Sequence, residues 1–579
     1  MENADNKLLS PSNLAKLDKR FHQTIADKTS GLSPIEYFLA WIDWVSHLAI
    51  SPGTRTLMIK ELADRINHTA CYSVQSIWNK EVQGPAHQVE RRMSGEAWQK
   101  WPFKVFAQGH QSLKEWWQDA AMSVEGVRPE HKIQVHALFD QVLDVLSPAN
   151  TPLTNPEVLQ AIKEEKGKNL LRGLKHFVAD KKRDILRNEP EQNSQFKIGE
   201  NIGITPGKVV FRNDLIELLQ YSPATEKVGA EPVLICPAWI MKYYILDLSP
   251  HNSLVKYLVE QGKTVFIISW KNPQEEDRDT GFEDYIHHGL MAAIDRVSEI
   301  CVNQKINSVG YCIGGTLLSV VAALMAHNDD CRLNSITLLA AQSDFSEAGE
   351  ILRFISPSQL FFLEKLMSRK GYLPSENMGG AFGSLRSSDL IFGTMVDRYF
   401  MGKESAPNDL MTWNADGTNM PHRMHAEYLT QLYLENRLST NKFRVNGQVI
   451  SLSDIKVPMF VVGTETDHVA PWQSVYKLHG LTHGELTFLL TSGGHNAGIV
   501  SGPEHPRRRY RMATRKLQDN YCAPEDWLEK TSINQGSWWP AWNAWLDQQI
   551  TEQKAPPVMG GKGKARQILG EAPGEYVYG

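Results

Sequence analysis

Ser308-Val-Gly-Tyr-Cys-Ile-Gly-Gly-Thr316 is the stretch whose reading decides the fold. An apolar run, Ile306–Tyr311, enters Gly310-Tyr-Cys312-Ile-Gly314-Gly315, and a helical pattern, Thr316–His327, follows at once. A strand that turns sharply into a helix around a nucleophile is a nucleophile elbow, here with cysteine in the usual place of serine. Strand and helix must come very close at such a turn, so the positions two before and two after the nucleophile need small side chains. Gly310 and Gly314 fill them. The helix that follows aims its free N–H groups and the positive end of its dipole at Cys312, which favours the thiolate, the reactive form of a thiol.

The same texture extends outward from the elbow. Short apolar runs recur at Val233–Pro237, Thr264–Trp270, Ile306–Tyr311, Ser335–Ala340, Val457–Val462 and Leu486–Leu490. Helical patterns at Ser253–Gln261, Gly281–Cys301 and Thr316–His327 separate the earlier ones. Near-continuous apolar strands with helical crossovers predict a parallel sheet covered on both faces. The rhythm breaks between Phe345 and Ile455, a stretch rich in aromatic residues and Met. This insertion, about residues 345–455, is expected to lie over the carboxyl edge of the sheet, where open α/β sheets bind ligands, and to act as a mobile cover.

Residues 1 to about 195 read differently. They are mainly helical, with amphipathic stretches such as Ile35–Leu48 and Pro156–Asp180. Seven of the 16 tryptophans lie here: Trp41, Trp44, Trp78, Trp98, Trp101, Trp116 and Trp117. They suit a helical core, or an exposed surface for a partner. The polar segment Asn188–Asn201 reads as a linker to a catalytic domain over 196–579.

An elbow nucleophile needs an acid and then a histidine further along the chain. The run Val457–Val462 ends in Gly463-Thr-Glu-Thr-Asp467-His468, and Leu486–Leu490 ends in Thr491-Ser-Gly-Gly-His495-Asn-Ala-Gly498. Asp467 and His495 would therefore emerge at the same sheet edge as Cys312, with Glu465 as a local competitor to Asp467. An oxyanion hole takes one N–H from the residue after the nucleophile, Ile313, and one from the loop after an early strand. The loop from Pro237 to Leu248 is the natural source of the second.

Composition narrows the classes. The charge balance is 61 basic against 66 acidic residues, a net −5, which argues against a nucleic-acid binder. The six cysteines show no CxxC spacing, so neither a structural zinc site nor another metal site is expected. Their scatter fits a reducing compartment. No secretory leader and no transmembrane segment are expected, and a cytoplasmic location follows.

From about residue 100 onward the chain resembles the polyhydroxyalkanoate synthases, among them the long class I type. The landmarks are Gln220-Tyr-Ser-Pro, Lys242-Tyr-Tyr-Ile-Leu-Asp-Leu, Ile268-Ser-Trp-Lys-Asn-Pro273, the elbow, Asp409-Leu-Met-Thr-Trp-Asn, Leu432-Tyr-Leu-Glu-Asn436, Asp467-His-Val-Ala-Pro-Trp472, Gly494-His-Asn-Ala-Gly498 and Gly536-Ser-Trp-Trp-Pro540. The resemblance implies an α/β-hydrolase catalytic domain with a cap, preceded by a helical domain that contributes to dimerisation and granule association. It implies Cys312 as the acyl-carrying nucleophile, His495 as base and Asp467 as its acid. It also marks His468, places the second oxyanion amide near Ile240, and makes Asp247 a candidate substrate contact. The implied substrate is a 3-hydroxyacyl-CoA, mainly (R)-3-hydroxybutyryl-CoA, with no cofactor. The growing polyester, its granule surface, granule-coat proteins and a second copy of the chain are the implied partners. One departure stands out: Met241 occupies a place where the family usually has Asn. A cysteine-dependent hydrolase acting as a thioesterase or acyltransferase would explain the same triad, but neither the helical domain nor the long insertion.

Overall fold

The computed structural model describes residues 10–79, 82–87, 89–186, 195–385, 391–404, 407–563 and 566–579. The linker expected at Asn188–Asn201 lies outside the described residues over 188–194.

At the centre stands an 11-stranded sheet. In chain order its strands are β1 (Gly207–Arg212), β2 (Ile216–Tyr221), β3 (Val233–Cys236), β4 (Val265–Trp270), β5 (Ile306–Tyr311), β6 (Leu333–Leu339), β7 (Met459–Thr464), β8 (Leu486–Thr491), β9 (Arg509–Arg515), β10 (Ile533–Gln535) and β11 (Gly570–Glu571). Their spatial order is β10-β9-β8-β7-β6-β5-β3-β4-β2-β1-β11. The run from β4 through β3, β5, β6 and β7 to β8 is parallel. Its members are the apolar runs expected from the sequence. Antiparallel strands flank it on both sides. These flanks were not legible beforehand: Arg509–Arg515 is a charged, half-exposed strand without an apolar run.

Alternate residues of each parallel strand face opposite sides. Leu234, Ile268, Val461 and Leu490 fall in one buried cluster, and Ile235, Ile267, Val462 and Leu489 in another. The first cluster is closed by the helices Ala292–Ile300 and Ile313–His327, the second by Leu254–Glu260 and Trp539–Gln548. Full burial of one such aliphatic side chain contributes about 1.5–3 kcal/mol, so the two layers hold the strand edge rigidly.

The insertion joins β6 to β7. Its longest helix, Pro357–Lys370, begins where the Ser356 side chain caps the Gln359 N–H with Pro at the first position, and ends at Gly371 in the left-handed conformation. Leu360, Met367, Met424, Leu432 and Phe443 of the insertion share the first cluster with the strands. The insertion expected as a mobile cover is thus joined to the sheet by a common apolar core.

Two compact units emerge. One holds the described residues of Met1–Gly31, Asn193–Met378 and Pro407–Gly579; the other holds those of Leu32–Gln192 and Gly379–Ala406. The first 31 residues therefore belong with the sheet. Helix Pro11–Lys28 packs on Pro357–Lys370, with Gln359 Nε2 donating to Gly31 O at 2.8 Å and Arg369 paired with Asp27 at 2.7 Å.

In the second unit, Trp44 and Trp117 are buried with Ala40, Ala121 and Val124, and Trp117 meets Phe139 at 4.2 Å between ring centres. Trp98 is buried too, whereas Trp78 and Trp101 are exposed. Segment 391–404 belongs here through Arg398, whose guanidinium pairs with Asp180 at 2.6 Å. Among the described residues no helix is long and apolar enough to cross a membrane.

Candidate active site

Cys312 sits between β5 and helix Ile313–His327 with φ 54° and ψ −127°. A non-glycine residue in this region stores of order 1–3 kcal/mol of strain, which the surroundings must hold. Its own N–H donates to Leu339 O at 2.9 Å, tying the turn to the neighbouring strand. The flanking glycines are required by contact. A Cβ at Gly310 would lie 2.4 Å from the Gly315 Cα, and one at Gly314 would lie 2.3 Å from Cys236 O and 2.5 Å from Pro237 O. The elbow is therefore pressed against the root of the loop after β3.

Asp467 and His495 follow β7 and β8, which are paired in parallel register, Thr464 opposite Thr491. Both residues leave the sheet at the same edge as Cys312. His495 Nδ1 donates to Asp467 Oδ2 at 2.8 Å. The Thr464 hydroxyl donates to the same oxygen at 2.8 Å, while the Val469 and Ala470 N–H groups donate to Oδ1 at 2.9 and 2.8 Å. Burial pushes the Asp467 carboxyl up, but the imidazole and these donors outweigh it and hold it below the usual carboxylate range. For His495 burial disfavours the charge. Asp467 and then Cys312 outweigh that, so the imidazole is held well above its ordinary value. The Cys312 side chain lies close enough to the His495 ring to add to this rise. Tyr311 stacks beside that ring at 5.7 Å, and its hydroxyl donates to Asn496 Oδ1 at 2.6 Å.

The remaining candidates fall in several places. Ile313 opens the helix, in the first turn where N–H groups have no intrahelical acceptor. Ile240 is half-buried in the adjoining loop, where its carbonyl accepts from Thr418 N–H at 3.0 Å. Met241 pairs its backbone with Gly417 and packs into the second cluster, so apolar contact stands where the family usually has an amide. His468 is half-buried beside Asp467. Asp247 is buried, and its carboxylate accepts from the Ser253 hydroxyl at 2.6 Å and from the Thr205 hydroxyl and N–H. Glu465, the competitor, is paired with Arg509 at 3.1 Å.

Several neighbours were not singled out from the sequence. Tyr428 and Tyr433 of the insertion are buried, with ring centres 5.4 Å apart. Both hydroxyls are pushed up, by burial first; Tyr433 adds to the rise at Tyr428 whereas Tyr428 opposes it at Tyr433, and Cys312 adds to both. The landmark Leu432-Tyr-Leu-Glu-Asn436 was the signal that could have found Tyr433. Gln342 also bridges elements, donating to Val469 O at 2.6 Å and accepting from the Ser474 hydroxyl at 3.0 Å. Among the described residues no cluster suited to a metal ion occurs.

Known proteins resemble this chain in sequence along most of its length. Residues 89–258 match the model described as the N-terminus of poly-beta-hydroxybutyrate polymerase, residues 12–54 a second N-terminal model of that polymerase, and residues 231–501 the alpha/beta hydrolase fold. The poly(3-hydroxyalkanoate) polymerase subunit PhaC of Rhizobium meliloti is 35% identical over 98% of this chain and 91% of its own length. The chain belongs to the poly(3-hydroxyalkanoate) polymerase family. The poly(3-hydroxyalkanoate) polymerase of Methylorubrum extorquens is 38% identical over 86% of this chain and 81% of its own. That of Cupriavidus necator is 34% identical over 88% of this chain and 86% of its own. Among solved structures, a monoacylglycerol lipase from Paleococcus ferrophilus aligns at TM-score 0.32 and 14% identity, covering 57% of this chain and 99% of the lipase. As a member of this family the chain is an acyl-transferring enzyme with an α/β-hydrolase domain, and it makes poly(3-hydroxyalkanoate).

Proposed function

We propose that the chain polymerises (R)-3-hydroxyacyl-CoA, mainly 3-hydroxybutyryl-CoA, through a thioester on Cys312, with His495 as base and Asp467 as its acid partner. The observation that supports this reading best is the His495 imidazole, hydrogen-bonded to Asp467 and raised in pKa by both Asp467 and the nearby Cys312. His495 takes the thiol proton and the thiolate attacks the substrate carbonyl. The N–H groups of Ile313 and Ile240 receive the developing oxyanion, and CoA leaves with the proton from the imidazolium. One thioester replaces another, so the acyl group stays activated. The 3-hydroxyl of the next hydroxyacyl-CoA then gives its proton to a base and attacks the Cys312 thioester carbonyl; the ester link forms, the C–S bond breaks, and the departing Cys312 thiolate takes that proton back.

Asp467 and His495 are the two candidates for that second base. Four donors already occupy the Asp467 oxygens, and its side chain is fully buried. His495 keeps 13% side-chain exposure, which favours it as the base in both steps. Water must stay out, or the enzyme becomes a thioesterase; the buried Tyr428 and Tyr433 support such exclusion. No cofactor enters the scheme. The product is a water-insoluble polyester, so the enzyme works at a granule surface in the cytoplasm, as a homodimer alongside granule-coat proteins. Exposed Phe38, Ile59 and Trp78 on the helical unit suit contact with such an apolar surface.

Incubation with (R)-3-hydroxybutyryl-CoA tests the reading. Turbidity from insoluble polymer with free CoA is expected, and Cys312→Ala should abolish both while the protein stays folded. Soluble 3-hydroxybutyrate as the product would make the enzyme a thioesterase. CoA release by Cys312→Ala at more than a few per cent of wild type would remove Cys312 as nucleophile.

A further inference from the structure

The loop that carries His495 runs from Ser492 to Gly498 and has no helix or strand of its own. One side chain closes it. Arg508 donates from Nη1 to Ser492 O at 3.2 Å, from Nη2 to Ala497 O at 2.5 Å and from Nε to the Ser501 hydroxyl at 2.5 Å. The Ser501 hydroxyl in turn donates to Ala497 O at 2.9 Å. The two carbonyls held by the guanidinium thus bracket His495 on its two sides in the chain. The fit is tight: a Cβ at Gly493, which has φ +111°, would lie 2.7 Å from Nη1. From the other side of the loop, Trp538 Nε1 donates to Gly498 O at 3.0 Å, which gives a structural place to the Gly536-Ser-Trp-Trp-Pro540 landmark.

The chemistry is unusual for an arginine. Among the described residues its acceptors are two carbonyls and a hydroxyl, with no carboxylate, and partial burial lowers its pKa. Its neighbour Arg509 takes Glu465 instead. A half-buried guanidinium without a counter-charge is unfavourable, and three coplanar donors in a fixed fork are what it supplies in return. An ammonium group has no fork and cannot span both carbonyls.

We propose that Arg508 is a positioning residue for the polymerase reaction: its guanidinium clamps the two ends of the His495 loop and sets the imidazole in line with both Asp467 and Cys312. The proposal rests on the triad reading above. The guanidinium's hydrogen bonds go to Ser492, Ala497 and Ser501, so Arg508 acts through His495.

The test uses the full chain and measures CoA release from (R)-3-hydroxybutyryl-CoA in Arg508→Met, Arg508→Lys, His495→Gln and the double variant Arg508→Met/His495→Gln. Misplacement of a reacting group by about 1 Å costs on the order of 10²-fold, so Arg508→Met should lose about 10–100-fold in kcat with KM little changed. Arg508→Lys keeps the charge but not the fork, and should fall in the same direction. In the His495→Gln background Arg508→Met should cost nothing more, because the residue it positions is gone. An equal loss in both backgrounds would make Arg508 a general structural support and overturn the proposal, as would a wild-type kcat in folded Arg508→Met or Arg508→Lys. Wild-type turnover by His495→Gln alone would instead sink the triad reading, and the clamp with it.

Discussion

His495 and Asp467 meet through a single Nδ1–Oδ2 hydrogen bond of 2.8 Å at the ends of two adjacent parallel strands, although 27 residues separate them in the chain. The carboxylate is fully buried and the imidazole nearly so. In such surroundings the pair favours one tautomer and one charge state, and leaves Nε2 for chemistry toward the elbow.

His495→Gln should therefore block acylation of Cys312. Loss of a general base typically costs about 10²–10⁴-fold. Radiolabelled acyl-CoA and a rapid quench would read the step directly. Acylation at wild-type speed would pass the role to another histidine, with half-buried His468 first in line.

Asp467→Asn separates two roles and has a pH signature. Should Asp467 only orient His495, acylation and elongation slow together. Should it also activate the attacking hydroxyl, acylation persists and short chains remain on Cys312. The imidazole is held above its ordinary 6.5, so its share of stability is complete below that value and fades as pH rises through the raised one. The carboxyl is held below its ordinary 3.8, so its share is complete above that value and fades as pH falls through the lowered one. The gap in Tm between wild type and Asp467→Asn should be widest from about pH 4 to 6.5. A gap that widens steadily above that window would contradict the charged pair.

Gly314→Ala should damage stability and turnover together. The added methyl would meet the carbonyl oxygens of Cys236 and Pro237 at 2.3 and 2.5 Å, backbone atoms that cannot swing away. Overpacking of this kind costs about 1–3 kcal/mol. It also pushes on the root of the loop bearing Ile240. Thermal melting and CoA release measure the two effects, and a variant with wild-type values in both would disprove the close approach.

Removal of residues 1–31 should weaken the catalytic unit, even though the triad lies far along the chain. Helix Pro11–Lys28 covers Pro357–Lys370, where His22 meets the Phe361 ring at 5.3 Å. A lower Tm and faster proteolysis near 357–370 are expected. An unchanged melting curve would show that the helix contributes nothing to this unit.

Much of this architecture was readable in the chain because it is local. The parallel strands are buried on both faces, and burial on both faces writes a continuous apolar run. The elbow is legible because a turn this tight admits only glycine at Gly310 and Gly314. Order along the chain placed Asp467 and His495 after the right strands.

What the sequence could not carry depends on distant segments meeting. The flanking strands such as Arg509–Arg515 are half-exposed, so no periodic run marks them. Asp467 was chosen over Glu465 already in the sequence, but their surroundings were not legible there: one carboxylate is buried among four donors, whereas the other reaches an exposed arginine. The hydrogen bonds of Asp247 to Ser253 and to Thr205, a segment distant in the chain, could not be read from the sequence. Arg508 is one of three consecutive arginines, Arg507, Arg508 and Arg509, and nothing in their order says which one turns its guanidinium onto the His495 loop. Apolar period and glycine placement are properties of neighbours in the chain; the partner of a buried charge is a property of the folded surface around it, and only the tertiary structure decides it.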